Sequence, residues 1–346
     1  MDHVPESRTL GMRLLRLVSV ALGAGCLALF GFLVLRFDRH AMWHGLVAIS
    51  SVLPLLLALE VGRGGCELIA TRALLGEEFA RLPRLRFVRG QLLALCFDVV
   101  LPAGRAAAES SKALLYSRAL GWPLAAAVGT ALQLAVLSAN ALWVLVAYAL
   151  SARWQLPQAV RAGLLAYAAA TSALVLGVAL FAAVPRVRGL CERVPSVHAA
   201  LSRFAQILVS ARASLLMALS AQLCSRVLQA WQLWAAALAL GITPSLSQAV
   251  LAQAVYLVGA ALGELVPAQL GTTDAAFVLA APALGFTAVA AFSASLALHT
   301  VQLVVALAAG LASLMVYWLD TRTVSHAEPL VHLLRADASR MQGDAE

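Results

Sequence analysis

The sequence predicts an all-α polytopic membrane protein with about six full spans and two re-entrant helical hairpins, arranged as an inverted repeat. Three observations predict it. Hydrophobic residues make up 62% of the 346 and charged residues only 12%, far more apolar surface than a soluble core of this length needs. Several apolar runs reach the roughly 20 residues that cross a hydrocarbon core. Two further apolar segments fall short, and each ends at a proline with an acid inside it.

Taken in order, full spans are expected near residues 14–35, 42–62, 122–150, 159–184, 213–240 and 286–318. The first follows Arg8, Arg13 and Arg16, as a signal peptide would. Its apolar stretch, however, runs through Cys26 to Leu35, too long for a cleaved segment. Residues 87–101 are too short to cross and end at Pro102, with Asp98 inside; residues 248–266 end at Pro267, with Glu264 inside. A second short helix follows each, at about 103–119 and 273–285, so the expected hairpins are 87–119 and 248–285. Broken backbone persists at membrane depth only where it is buried in protein or lines a cavity. "GRGG" at 62–65 reads as a turn at the inner end of the second span. Glu60 and Glu67, beside Arg63, read as solvated near that boundary.

Arginine placement agrees with this count. With the N-terminus inside, the inner loops hold Arg63, Arg72, Arg81, Arg84, Arg86 and Arg89, then Arg186, Arg188, Arg193, Arg203 and Arg212, and finally Arg322, Arg335 and Arg340. Outer segments keep Arg36, Arg39, Arg153 and Arg161. That is the positive-inside bias of a cytoplasmic membrane, with both termini cytoplasmic. The same clustering explains the net charge of +8 and argues against a nucleic-acid partner. The Ala/Leu and Arg-over-Lys bias points to a GC-rich bacterial genome.

The hairpins resemble each other. "LPAGRAAAESSKALLYSRALGW" aligns with "VPAQLGTTDAAFVLAAPALGF". Pro102 precedes Glu109 by seven residues and Pro267 precedes Asp274 by seven, and each segment closes on Leu-Gly-aromatic. The first follows a basic run and enters from inside; the second follows "GITPSLSQ", without a base, and enters from outside. Hence residues 1–153 form one membrane repeat, 154–320 a second and inverted one, and 321–346 a short cytoplasmic tail. Inverted repeats with broken helices are a recurrent transporter architecture, with the site at the breaks.

An ionised side chain at the bilayer centre costs about 2.5 kcal/mol or more, so each one here needs a reason. Arg105, Glu109 and Lys112, the only lysine in the chain, share one helical face. Two readings stand: a self-neutralising group that makes the helix insertable, or an electropositive pocket for an anionic headgroup, with Arg105 clamping, Lys112 adding charge and Glu109 orienting both. The second hairpin has Glu264 and Asp274, and no Lys or Arg occurs between Arg226 and Arg322. Asp98, Glu264 and Asp274 suit gating or proton coupling, and equally suit plain hydrogen-bonded acids. Gln222, Arg226 and Gln229 form a polar stripe facing the interior, with Arg226 the candidate to neutralise Glu264 or Asp274. Pro102, Gly104, Pro267 and Gly271 mark the hairpin breaks. His299, Gln302, Gln133 and Asn140 read as helix–helix hydrogen bonders.

No motif for hydrolytic, redox or nucleotide chemistry is present, and no cofactor or metal is expected. The five cysteines, Cys26, Cys66, Cys96, Cys191 and Cys224, lack metal-ligand spacing and read as small buried hydrophobes.

With "LPAGRAAAESSK" and "LVPAQLGTTDAAF" in view, the chain resembles the flippase-like membrane region of lysylphosphatidylglycerol synthases and related stand-alone bacterial proteins, some linked to hopanoid or glycolipid pathways. The resemblance covers about residues 10–320. Pro102, Arg105, Glu109 and Lys112 match the family's first motif; Pro267, Gly271 and Asp274 match its second. Ala108 stands where the family has Gly, and the second turn lacks a double glycine and carries Asp for Glu. About 25 residues follow the last span, so the aminoacyl-transfer domain of the synthases is not expected here, nor is enzymatic activity. The resemblance implies an inner-membrane protein that translocates an anionic phospholipid or lipid-linked intermediate. Alternatives are a membrane-embedded lipid-modifying enzyme using Glu109 or Asp274, or a non-transporting scaffold subunit. Partners would be the lipid itself, a second copy of the chain or a lipid-synthesis enzyme.

Overall fold

A computed structural model describes residues 23–151, 156–184 and 194–343, with side chains described as far as Leu319 except Ala183. Arg8, Arg13, Arg16, Arg153, Arg186, Arg188, Arg193 and Cys191 lie outside the described residues, as does the start of the first expected span. The described chain is helical, without strands. In order, its helices are α1 (Gly23–Arg36), α2 (Arg39–Ser50), α3 (Leu53–Leu75), α4 (Arg84–Val100), α5 (Gly104–Leu120) and α6 (Trp122–Leu150). Then follow α7 (Gln158–Ala183), α8 (Pro195–Ser210), α9 (Arg212–Ala239), α10 (Leu246–Leu262), α11 (Thr272–Leu284) and α12 (Ala288–Gly343).

Among the described residues, three helices are individually long and apolar enough to cross a membrane, on α6, α7 and α12. Two bent pairs, α2 with the segment Leu53–Arg81 at 70° and α8 with α9 at 89°, raise the number to as many as five. The span expected at 42–62 is therefore two helices. Pro54 sits in the first turn of α3, where its missing N–H costs nothing, so a new helix starts there. That helix then runs straight through "GRGG", which is not a turn. The glycines are packing positions: a Cβ on Gly62 would press on Leu228 of α9, and one on Gly64 would touch Leu95 of α4. The loop expected before residue 213 holds α8, which buries Phe204 and Ala205 on one face. The last helix continues past residue 320, where a tail was expected, to Gly343.

Two helical hairpins are present, α4 with α5 and α10 with α11. In the first, Tyr116 of α5 accepts from Gln91 Nε2 at 3.0 Å and donates to the Phe87 carbonyl at 3.2 Å, with its ring against Gly90. In the second, Gly259 of α10 lets the backbone of α11 approach at Thr273, where a side chain would collide. The two breaks share a backbone form: Ala103 and Ala268, each directly after its proline, lie in the left-handed region with φ of 51° and 53°. Gly104 is needed because a Cβ there would strike the Asp98 carbonyl, and Gly271, at φ 85°, backs onto the Cys26 carbonyl of α1. A long helix, α12, packs against both hairpins and α2, and α9 lies along α3.

Candidate functional site

The expected face on α5 exists, but its organising residue is on α3. Because α3 continues as helix, Glu60, Arg63 and Glu67 recur at helical spacing and turn inward rather than to water. Glu60 is 1% exposed, and its carboxylate takes Arg63 Nη2 at 2.6 Å, Arg63 Nε at 3.1 Å and Gln232 Nε2 at 3.1 Å. Glu67 is held three ways. It accepts from Arg105 Nη2 at 3.0 Å, Lys112 Nζ at 3.0 Å and Gln222 Nε2 at 2.9 Å. Lys112 also lies 2.7 Å from Glu109, and Arg105 lies 3.8 Å from it. Neither Glu60 nor Glu67 is a solvated boundary residue. The signal was available: three charges at helical spacing inside an apolar stretch mark a buried face, once the glycines between them are read as packing positions.

Two cavities adjoin this network. One, about 590 Å³, has mostly aliphatic walls, among them Leu57, Val61, Leu92, Leu95, Val304 and Ala308. The other, about 360 Å³, is richer in polar groups, with Asn140, Tyr167, Tyr256, Glu264, Gln269 and Gln302 in its walls. Arg63, Asp98, Arg105 and Arg226 line both. Of the α5 trio only Arg105 reaches a cavity wall; Lys112, 3% exposed, and Glu109 stand behind it as counter-charges. The hairpin tips meet here, since the Ala103 N–H donates to the Glu264 carbonyl at 2.9 Å.

The stripe on α9 faces inward: Gln222, Arg226 and Gln229 are all buried. Gln229 Oε1 accepts from Arg226 Nη1 at 3.1 Å and from Gln253 Nε2 at 2.9 Å. Arg226 was expected to neutralise Glu264 or Asp274. Among the described residues it ion-pairs with neither, because Asp274 is already engaged elsewhere and Glu264 only shares a cavity with it. Asp274, fully buried, accepts from the Gly271 N–H at 2.8 Å and from Ser295 Oγ at 2.6 Å. His299 Nε2 stands 3.4 Å from the Asp274 carboxylate and 2.9 Å from Thr273 Oγ1. Asp274 therefore ties the second hairpin to α12 and lines neither large cavity, while Pro102 and Pro267 start the turns that bring Asp98 and Glu264 to one wall. Asn140 donates to Tyr167 Oη at 3.0 Å, and Gln302 donates to Tyr256 Oη at 3.0 Å, both joining separate helices. Among the described residues no group of three His, Cys, Asp or Glu side chains has the arrangement to hold a metal ion.

The family model for the lysylphosphatidylglycerol synthase TM region matches residues 16–310. The chain belongs to that family. It is thus a multi-pass membrane protein of a lipid-related family, and the charged network and the polar cavity lie within the matched residues, as does the aliphatic cavity except for Ala312. Comparison with curated proteins and with solved structures gives no match. Within this family member, the matched region contains the meeting point of the hairpin tips and the four residues shared by the cavities.

Proposed function

We propose that this member of the lysylphosphatidylglycerol synthase TM-region family takes an anionic lipid into the paired cavities and moves it, or presents it, across the bilayer. One observation carries the reading: Arg63, Asp98, Arg105 and Arg226 line an aliphatic and a polar cavity at once. An amphiphile needs just such a pair, with acyl chain on one side and headgroup on the other. Arg105 would meet the headgroup, with Lys112 and Glu109 fixing its charge and direction through Glu67. Asp98 and Glu264, one on each hairpin, would gate the polar side, and the Asp274 cluster would hold the second hairpin to α12. Two hairpins of opposite entry, in an inverted repeat of about six spans, would let each close one face of the same site. An inner membrane with both termini cytoplasmic fits the arginine bias.

The test is mass spectrometry of lipids retained by gently purified protein, wild type beside Arg105→Ala and Arg105→Ala/Lys112→Ala, followed by leaflet exchange of the retained lipid in proteoliposomes. Selective retention of one anionic species, lost in the variants, together with accelerated exchange, is the expected result. Bulk lipid alone in both proteins counts against the reading. Conversion of the retained lipid to a product would move an embedded lipid-modifying enzyme ahead of a carrier.

A further inference from the structure

The charged groups around the two cavities do not cancel. The bases are Arg63, Arg105, Lys112 and Arg226; the acids are Glu60, Glu67, Glu109, Asp98 and Glu264, one more. Glu60 pairs with Arg63, and Glu67 and Glu109 pair with Arg105 and Lys112. Asp98 and Glu264 form no ion pair among the described residues. Arg226 lines the polar wall with both, yet one guanidinium offsets only one carboxylate. With every group ionised, one negative charge would stand uncompensated at membrane depth, where that is costly.

A metal cation or a proton could restore the balance. A metal ion would stand among Arg63, Arg105 and Arg226 on the same wall, and among the described residues no three His, Cys, Asp or Glu side chains group to hold one. A proton needs no such cage. Asp98 and Glu264 are both half-buried, and they lie within electrostatic reach of each other. Like charges on one wall favour keeping a proton on one of them, and that proton belongs to the pair. The same wall carries one orphan of each kind. Asn140, 7% exposed, has an Oδ1 without a donor, and Arg226, 8% exposed, has an Nε without an acceptor. A protonated carboxyl supplies the donor and an ionised one the acceptor, so the half-protonated pair suits both. The first turn of α5 adds the Arg105 backbone N–H toward Glu264. Gln133, Tyr167, Tyr256, Gln269 and Gln302, from the remaining elements of the wall, are neutral.

The pair also straddles the two breaks. Asp98 precedes Pro102, Glu264 precedes Pro267, and the tips are joined where the Ala103 N–H meets the Glu264 carbonyl. Losing the proton would set two like charges on either side of that bond. We infer that Asp98 and Glu264 hold one proton between them and that its release parts the hairpin tips, which makes a proton the coupling ion of the movement proposed above. The proton count stands on the wall charges, whereas the coupling rests on the lipid reading. Asp274, bonded to α12 away from both cavities, takes no part.

Infrared difference spectroscopy of the full chain in detergent, between mildly acidic and alkaline pH, tests the count. Exposed carboxyls are already ionised across that range, so a protonated-carboxyl C=O band that disappears reports a buried proton. Wild type should show one such band. Asp98→Asn and Glu264→Gln each balance the wall and should both lose it, and either serves if the other fails to fold. Arg226→Gln removes a base and should add a second protonated carboxyl. A wild type without the band, or a band that survives both acid variants, overturns the inference. Spin labels at Ala106→Cys and Leu262→Cys, in a chain otherwise free of cysteine, should move apart as the proton leaves and keep their distance once Glu264→Gln is added. Labels that hold one distance at both pH values overturn the link to the tips. In proteoliposomes, pH-independent exchange of a selectively retained lipid overturns the coupling and leaves the lipid reading standing. A titrating band in protein that retains no particular lipid removes the lipid reading and upholds the proton pair.

Discussion

The Ala103 N–H donates to the carbonyl oxygen of Glu264 at 2.9 Å, so the two helix breaks are bonded tip to tip. The partners are far apart in sequence, Ala103 directly after Pro102 and Glu264 shortly before Pro267. A backbone group freed by one break is satisfied by the other, which is how broken helix survives away from water.

That contact depends on an unusual backbone. Ala103 and Ala268 sit at φ of 51° and 53°, a conformation that costs an L-residue about 1–2 kcal/mol and glycine nearly nothing. Ala103→Gly and Ala268→Gly should each raise stability by a net ~0.5–1 kcal/mol, after the added freedom of the unfolded chain is counted. Ala106→Gly, in regular helix, should lower it by about 1 kcal/mol. Thermal unfolding in detergent distinguishes the two directions.

Glu67 is the acceptor for Arg105, Lys112 and Gln222 together. Glu67→Gln leaves a buried lysine and a half-buried arginine short of charge, and should destabilise by about 3 kcal/mol or more. Glu78→Gln, which breaks the exposed pair with Arg81, should leave the unfolding midpoint where it is. A midpoint in Glu67→Gln equal to wild type would remove it from the centre of the network.

Gly104→Ala drives a methyl group into the Asp98 carbonyl, and the first hairpin must open to admit it. Overpacking of this kind costs about 1–3 kcal/mol. Gly177→Ala, on an α7 face with nothing near the new carbon, should instead gain about 0.5–1 kcal/mol. The pair measured side by side separates a packing requirement from mere helix propensity.

Asp274→Asn keeps the shape of the side chain but turns an NH2 toward the Gly271 N–H or the Ser295 hydroxyl. One buried donor then loses its acceptor, for about 1–3 kcal/mol. Adding Ser295→Ala should recover part of that loss. Full additivity in the double-variant cycle would contradict the bond.

Helix class, both hairpin breaks and the inward stripe on α9 were legible because prolines, acids and spacing are local signals. The α3 network was not, because three glycines around Arg63 look like a turn until the neighbours Leu228 and Leu95 are known. The bend at Ser51 and Val52 hid inside a continuous apolar run, where hydropathy is blind to a change of direction. Arg105 and Lys112, on one helical face, were both expected to meet a headgroup; only packing shows that Arg105 reaches a cavity and Lys112 does not. The bond between Asp274, Ser295 and His299 needed the partner helix.

The aliphatic cavity takes Val304, Val305, Ala308, Ala309 and Ala312 from α12, which follows every charged member of the network in sequence. During synthesis every charged member of the network is made before that wall exists. The growing chain must therefore hold Arg63, Asp98, Arg105 and Arg226 on an unfinished surface, open to whatever lipid surrounds it, until α12 docks. The compartment is closed by an assembly step, and a lipid present at that moment has the first opportunity to be enclosed.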